Sequence, residues 1–126
     1  MPVKYNSGDS FFQTLTGTLV TVGAVADAII TFTIPVDSTA SVTTTVAGLN
    51  DGVSESAGYV KHSVFRRTAA GGLGQIGETD ISDLEDVAGW DVNVVVNGAN
   101  IEVQVTGAAG STVSWSAVSK ILIITL

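Results

Sequence analysis

The residues most able to do chemistry sit in two short stretches. Lys61, His62, Arg66 and Arg67 gather four of the six potentially cationic side chains between positions 61 and 67. Such a strip can dock an acidic partner, because opposed potentials set register and on-rate. It can equally protect an edge strand from aggregation by its charge. Both readings stay open at this stage. His62 is the single histidine, so any catalytic triad or histidine-based metal site has to be built around it. No neighbouring Ser or Asp suggests one, and a surface histidine is expected.

The second stretch is acidic: Glu78, Asp80, Asp83, Glu85, Asp86 and Asp91. Calcium takes about six to eight oxygen ligands, and an EF-hand loop supplies them at fixed spacing. That spacing is missing here, so a solvated acidic loop, or one docked on basic residues, is expected. Gly72-Leu73-Gly74-Gln75-Ile76-Gly77 fits G-x-G-x-x-G. A dinucleotide site needs a helix to start there, and the following Glu78-Thr79-Asp80 does not open one. A flexible glycine-rich loop is expected instead. Trp90 and Trp115 could stack on sugars, but alternation puts both on the apolar face of their strands, which predicts core. No nucleophile–base pair, metal constellation or cofactor motif emerges, so the expectation is no enzyme and no cofactor.

Composition narrows the classes further. The chain has 126 residues, no cysteine and a net charge of −7, with 13% charged residues, against about 25% in a typical soluble domain. One core fits this length without disulfides. Twelve acidic residues against five basic ones argue against nucleic acid, whose phosphates need a basic surface. A membrane helix needs about 20 apolar residues in succession, and the best stretch, 15–34, is broken by Gly17, Gly23 and Asp27. The first nine residues lack the apolar run of a signal peptide. A surface covered by neighbouring subunits accounts best for the low charge.

The elements that must position these residues are strands. β-Branched residues dominate and no 3.6-residue periodicity persists. Ala28, Ile30, Phe32 and Ile34 share one face before Pro35, and Val42 and Val46 face in between threonines. Asn97-Gly98 suits the centre of a type I′ hairpin turn, pairing Val94 with Ile101 and Val92 with Val103. A four-residue loop over 97–100 keeps the same faces. Strands are expected at 11–16, 19–25, 27–34, 41–47, 59–67, 90–96, 101–106 and 112–125, with 71–89 as the long irregular stretch. The fold class is all-β: a single sandwich of about eight antiparallel strands with jelly-roll or Greek-key topology. Residues 1–9 form an N-terminal arm and 10–126 the sandwich. Val118, Leu122, Ile124 and Leu126 line the second face of an otherwise buried last strand, and are expected to form a subunit interface.

The segment from Trp90-Asp91-Val92-Asn93 through Ile101-Glu102-Val103-Gln104-Val105-Thr106-Gly107 to Thr112-Val113-Ser114-Trp115 resembles virion proteins of tailed bacteriophages. There a hairpin and strand close a small β-sandwich in fibre tips and capsid-bound accessory proteins. The likeness covers roughly the last 40 residues and carries no catalytic side chains. It implies a homotrimer. The chain has its own Met1 and no shaft segment, which favours a capsid decoration (cement) protein over a receptor-binding tip recognising a glycan or protein. The implied partners are the chain itself and the major capsid protein, with no nucleic acid and no membrane. The implied location is the capsid surface of the virion, assembled in the host cytoplasm. Pro2, Val3, Lys4, Tyr5, Arg66 and Arg67 are the expected capsid contacts.

Overall fold

The computed structural model describes residues 10–50 and 52–125. Eight strands follow one another: β1 Ser10–Val22, β2 Asp27–Phe32, β3 Ser38–Asn50, β4 Glu55–Arg67, β5 Leu73–Glu85, β6 Asp91–Asn97, β7 Asn100–Thr106 and β8 Thr112–Thr125. They form a five-stranded sheet, β1-β8-β3-β4-β5, facing a three-stranded sheet, β2-β7-β6. All pairs are antiparallel. The first strand pairs with the last and the second with the seventh, so the chain is folded double on itself. This nesting makes the sandwich jelly-roll-like.

Alternation explains most of the packing. Along β8, Val113, Trp115, Ala117, Ile121 and Ile123 are buried, while Leu122 and Ile124 point away from the core and are about half exposed. Val92, Val94, Ile101, Val103 and Val105 close the core from the smaller sheet. The hairpin keeps its expected faces but pairs Val96 with Ile101 and Val94 with Val103. Its turn is Gly98-Ala99, one position later than expected. Gly98 takes φ +62° at the first central position, as a type II′ turn demands. Asn97 Nδ2 donates to Glu102 Oε2 at 3.0 Å, which holds Asn97 in the strand.

Two expectations about strands change. The expected strands 11–16 and 19–25 are one continuous β1. Gly17 does not break it; a Cβ there would lie 2.3 Å from the Ile29 carbonyl oxygen. The glycine lets β1 and β2 approach across one side of the sandwich, and a register shift between Ala28 and Ile30 brings that carbonyl in. The same shift leaves Ala28 exposed. Residues 71–89, expected to be irregular, contain β5, which pairs with β4 along its length with two register shifts. The Gly72–Gly77 motif therefore runs into a strand, and no helix follows it.

The other side of the sandwich is sealed by side chains. Gln75 Nε2 donates to the Val94 carbonyl at 3.1 Å, and the Val94 N–H donates to Glu78 Oε1 at 3.3 Å. Together they give β6 the donor and acceptor that a neighbouring strand would supply.

Both tryptophans are core, each 2% exposed. Trp115 meets Trp90 edge to face at 5.6 Å and lies 6.4 Å from Tyr59. Its Nε1 donates to Thr21 Oγ1 at 2.9 Å. Its ring fills the space a side chain at Gly48 would need; a Cβ there would come within 2.6 Å of it. Removing a buried Trp costs about 3–5 kcal/mol, a large share of a small domain's stability. Trp115→Ala is expected to unfold the domain or lower its melting temperature sharply, and Gly48→Val to do so by displacing the ring. Thermal unfolding followed by near-UV circular dichroism checks both; an unchanged Tm in Gly48→Val would contradict the seating of Trp115.

Candidate functional site

The basic strand divides between two faces, because neighbouring residues of a strand point opposite ways. Lys61 and Arg67 turn towards the other sheet; His62 and Arg66 turn outward. Lys61 is 3% exposed and donates to Asp80 Oδ1 at 2.6 Å, with Asp83 Oδ1 at 3.5 Å. Burial pulls its pKa down, but the hydrogen bond to Asp80 and the charges of Asp83, Asp80 and Glu78 outweigh it and leave the ammonium above its ordinary value. Arg67 donates to the carbonyls of Ile34 at 2.9 Å and Gly71 at 3.1 Å. Arg66 donates to the Ser38 carbonyl at 3.0 Å and pairs with Asp37 at 3.2 Å. These cations tie the chain to itself, and no continuous docking strip exists.

The acidic run up to Asp86 is likewise structural. Asp80 and Asp83 hold Lys61. Tyr59 donates its hydroxyl to Glu85 Oε2 at 2.5 Å; burial and then Glu85 keep the phenol far above its usual pKa. Asp86 accepts from the Ser56 N–H at 2.9 Å. Among the described residues, no group of three or more His, Asp or Glu is placed to hold a metal ion.

The fold does give His62 a serine neighbour, Ser41, whose Oγ lies 2.8 Å from His62 Nε2. A working dyad also needs a group to orient the imidazole and free N–H donors for an oxyanion. No Asp or Glu sits among the outward positions of these strands. Ser41 on β3 is laddered to Val64 and Leu122, and His62 on β4 to Thr43 and Thr79, which engages the backbone donors there. The contact is a tie between strands.

Two outer faces remain, and their chemistry differs. The five-stranded sheet presents threonine, serine and aliphatic side chains, among them Leu122 and Ile124 from the expected interface, with Val118 half-buried beside them. Leu126 lies outside the described residues, as do Pro2, Val3, Lys4, Tyr5 and the whole expected arm, 1–9.

The three-stranded sheet presents amides and carboxylates: Asp91, Asn93 and Asn97 from β6, Glu102 and Gln104 from β7. Asn93 stands opposite Gln104, and Thr31 of β2 opposite Glu102. Glu102 accepts from Asn97 at 3.0 Å and from Gln104 at 3.0 Å. Asp91 accepts from Asn93 Nδ2 at 3.0 Å and from the Val92 N–H at 2.9 Å. The side chains thus hold one another in place while keeping lone pairs and N–H groups towards solvent. That is an array suited to hydroxyl groups. Sequence alternation puts Asn93, Glu102, Asp91 and Gln104 on one face, but attaches no role to them.

No protein-family model and no curated protein matches the sequence. Solved structures do match. The tailspike protein of Acinetobacter baumannii phage AM24 superposes with a TM-score of 0.51 at 10% identity, over 93% of this chain and 26% of that one. The tailspike gp49 of Acinetobacter baumannii bacteriophage Fri1, a capsular polysaccharide depolymerase, gives 0.52 at 12% identity, over 93% and 18%. The chain shares its fold with parts of phage tailspikes. It spans only about a quarter and a fifth of those two chains' lengths.

These likenesses overturn the expectation of a capsid decoration protein, and with it the major capsid protein as partner and the capsid surface as location. The hairpin-and-strand pattern behind that expectation occurs in fibre tips as well as in capsid-bound proteins. Its electrostatic support also fails, since Arg66 and Arg67 are engaged within the chain. The expectation of a non-enzymatic protein is overturned too, because the fold occurs within a chain named as a depolymerase.

Lys61 supplies a test of the seam between the sheets. Its partners are only partly buried, so the pair is worth less than a dry one. Lys61→Met is expected to lower Tm at neutral pH by about 5–10 °C, about 1–2 kcal/mol at this chain length. Because the folded pKa lies above the ordinary value of 10.5, the stabilisation is complete below that value and disappears as pH rises through the folded pKa. The Tm difference between wild type and variant should therefore persist to about pH 10 and close above it.

Proposed function

We propose that this chain is a receptor-recognition domain of the tailspike type, and that it binds a cell-surface polysaccharide. The observation that carries this reading is the amide–carboxylate array on the three-stranded sheet, fixed by the hydrogen bonds Asn97–Glu102, Gln104–Glu102 and Asn93–Asp91. Sugars present adjacent hydroxyls that both donate and accept, and pre-positioned amides and carboxylates meet them without ordering on binding. The tailspike fold likeness supplies the setting. Among the described residues the array contains no Lys or Arg, so a polysaccharide rich in neutral hydroxyls suits it better than a polyanion.

Depolymerisation is carried over from the Fri1 neighbour as the activity this recognition serves. Glycoside hydrolysis uses two carboxylates about 5–9.5 Å apart. Asp91 and Glu102, the two carboxylates of the array, stand four residues apart along the strands, about 13 Å. That makes the array a binding surface and places a cutting pair elsewhere.

Calorimetric titration with purified capsular polysaccharide tests the binding. Gln104→Ala removes a donor and loosens Glu102; it should weaken binding about five- to tenfold, roughly one hydrogen bond, with Tm unchanged. Binding equal to wild type in both Gln104→Ala and Asn93→Ala would overturn the assignment. Asp91→Asn and Glu102→Gln separate the two roles when viscosity of the same polysaccharide is followed. Binding kept with depolymerisation lost makes the face an active site, whereas loss of neither places the cutting elsewhere.

A further inference from the structure

We infer a second carbohydrate site, at the end of the sandwich where β3 turns into β4 and β7 into β8, which takes a short stretch of neutral sugar. Strand register brings its parts together. Asn50, the last residue of β3, stands opposite Glu55 of β4 and Val113 of β8, and Ser111 and Thr112 lead into β8 beside it. A cleft of about 540 Å³ lies between the two connections, lined by Asn50, Val53, Glu55, Ser111 and Thr112 with Gly52 and Gly110. Small-ligand sites measure about 300–1,000 Å³.

The cleft holds hydrogen-bonding capacity that the fold does not use. The hydroxyls of Ser111 and Thr112 have no partner among the described residues. Glu55 commits one oxygen, Oε1, which accepts from Asn50 Nδ2 at 3.1 Å, and keeps Oε2 for a ligand. A second cleft, between 56–58 and 83–86, differs in this respect. Its carboxylates are taken up by Tyr59, the Ser56 N–H and Lys61.

The walls are fixed before any ligand arrives. Asn50 is 7% exposed, and its Oδ1 accepts from the Gly52 N–H at 3.1 Å. Ser54 takes φ +57°, a strained conformation for a residue with a side chain and one that gathers at ligand sites. Its N–H donates to the Asn50 carbonyl at 3.0 Å. The Ser111 carbonyl accepts from the Gly23 N–H at 3.2 Å, which ties the β1–β2 loop to this wall. Little ordering is left to oppose binding.

These groups select the ligand. Glu55 repels an anion, and one carboxylate falls far short of the six to eight oxygens that calcium takes. Hydroxyls beside a carboxylate and an amide suit groups that donate and accept at once. Val53, 64% exposed, offers an apolar flank to a C–H face. A neutral sugar ring has all of these features. The inference rests on the polysaccharide reading for the source of its ligand, but on none of the residues of the array.

An NMR titration of the ¹⁵N-labelled protein tests it. The probes are galactose, glucose, their N-acetylated amines, galacturonate and oligosaccharides from partial hydrolysis of the capsular polysaccharide. Neutral probes should shift the amides of Gly52, Gly110 and Ser111 and leave the side-chain amides of Asn93 and Gln104 in place. Ser111→Ala should weaken binding about five- to tenfold, roughly one hydrogen bond, with the rest of the spectrum unchanged. Thr112→Ala, at an exposed position, repeats the test should the first variant disturb the loop. The inference is overturned if no probe shifts the cleft, if both variants bind as wild type, or if galacturonate binds as tightly as galactose. Shifts confined to Asn93 and Gln104 overturn it while sustaining the array. Cleft shifts that persist in Gln104→Ala, with polysaccharide binding equal to wild type, sustain the cleft and overturn the array.

Discussion

Trp115 can occupy the centre of the sandwich only because residue 48 has no side chain. The indole of a β8 residue lies where a β3 side chain would be, reaches β1 through Thr21, and packs on Tyr59 of β4 and on Trp90 before β6. Four strands of one sheet and the approach to the other are thus positioned by one ring. Glycine's usual cost in a strand, lost entropy and lost packing, is offset here because the space is filled from the neighbouring strand. The same exchange recurs at the flank, where Gly17 gives up a side chain so that the Ile29 carbonyl can approach β1.

With the interior settled in this way, the two flanks need different closures. On the β1–β2 side backbone meets backbone. On the β5–β6 side the sheets stand further apart in chemistry, and Gln75 and Glu78 complete the hydrogen bonding of Val94. Sheet edges invite pairing with other chains. Here each exposed edge of the small sheet faces an edge of the large one. What the sheets leave for partners is their two broad faces, and alternation dictates their content. Outward positions of the large sheet are mostly Thr, Ser and apolar residues, with His62, Arg66 and Lys120 among them. Those of the small sheet hold the amides and carboxylates of the array, with Val95 opposite Glu102 and Thr31 beside it.

Much of this was legible from two-residue alternation: the inward set of β8, the faces of the β6–β7 hairpin, and the burial of both tryptophans. Alternation failed where its premise fails. It assumes that inward means apolar, and β5 turns Glu78, Asp80, Asp83 and Glu85 inward, so its sequence has the pattern of a loop. Lys61 and Arg67 mislead for the same reason, since their charge suggests solvent while their parity places them inside. The amide array was visible as a face but not as a site, because its order comes from side-chain bonds such as Gln104–Glu102 that strand pattern cannot specify. The resemblance to virion proteins rests on the strand pattern of the hairpin and last strand, whose side chains carry no role of their own. That the whole fold is shared with parts of phage tailspikes emerges only from superposition.

The inward charges of β5 make sense once their position is considered. The seam between β4, β5 and β6 is deep enough to exclude most water from Lys61, but Asp80 and Asp83 keep 55% and 39% of their side-chain surface. A lysine in that position can stay charged only beside carboxylates, and the carboxylates escape a heavy desolvation penalty only because they remain wet. An apolar β5 would have to be covered from outside, while a fully polar one would not hold the sheets together. Carboxylates around one buried ammonium satisfy both demands at an edge that no further strand covers. The consequence for function is direct. The charges around Lys61 are committed to closing the sandwich, which leaves the more dilute polar face on the other side of β6 as the surface on which the proposed recognition rests.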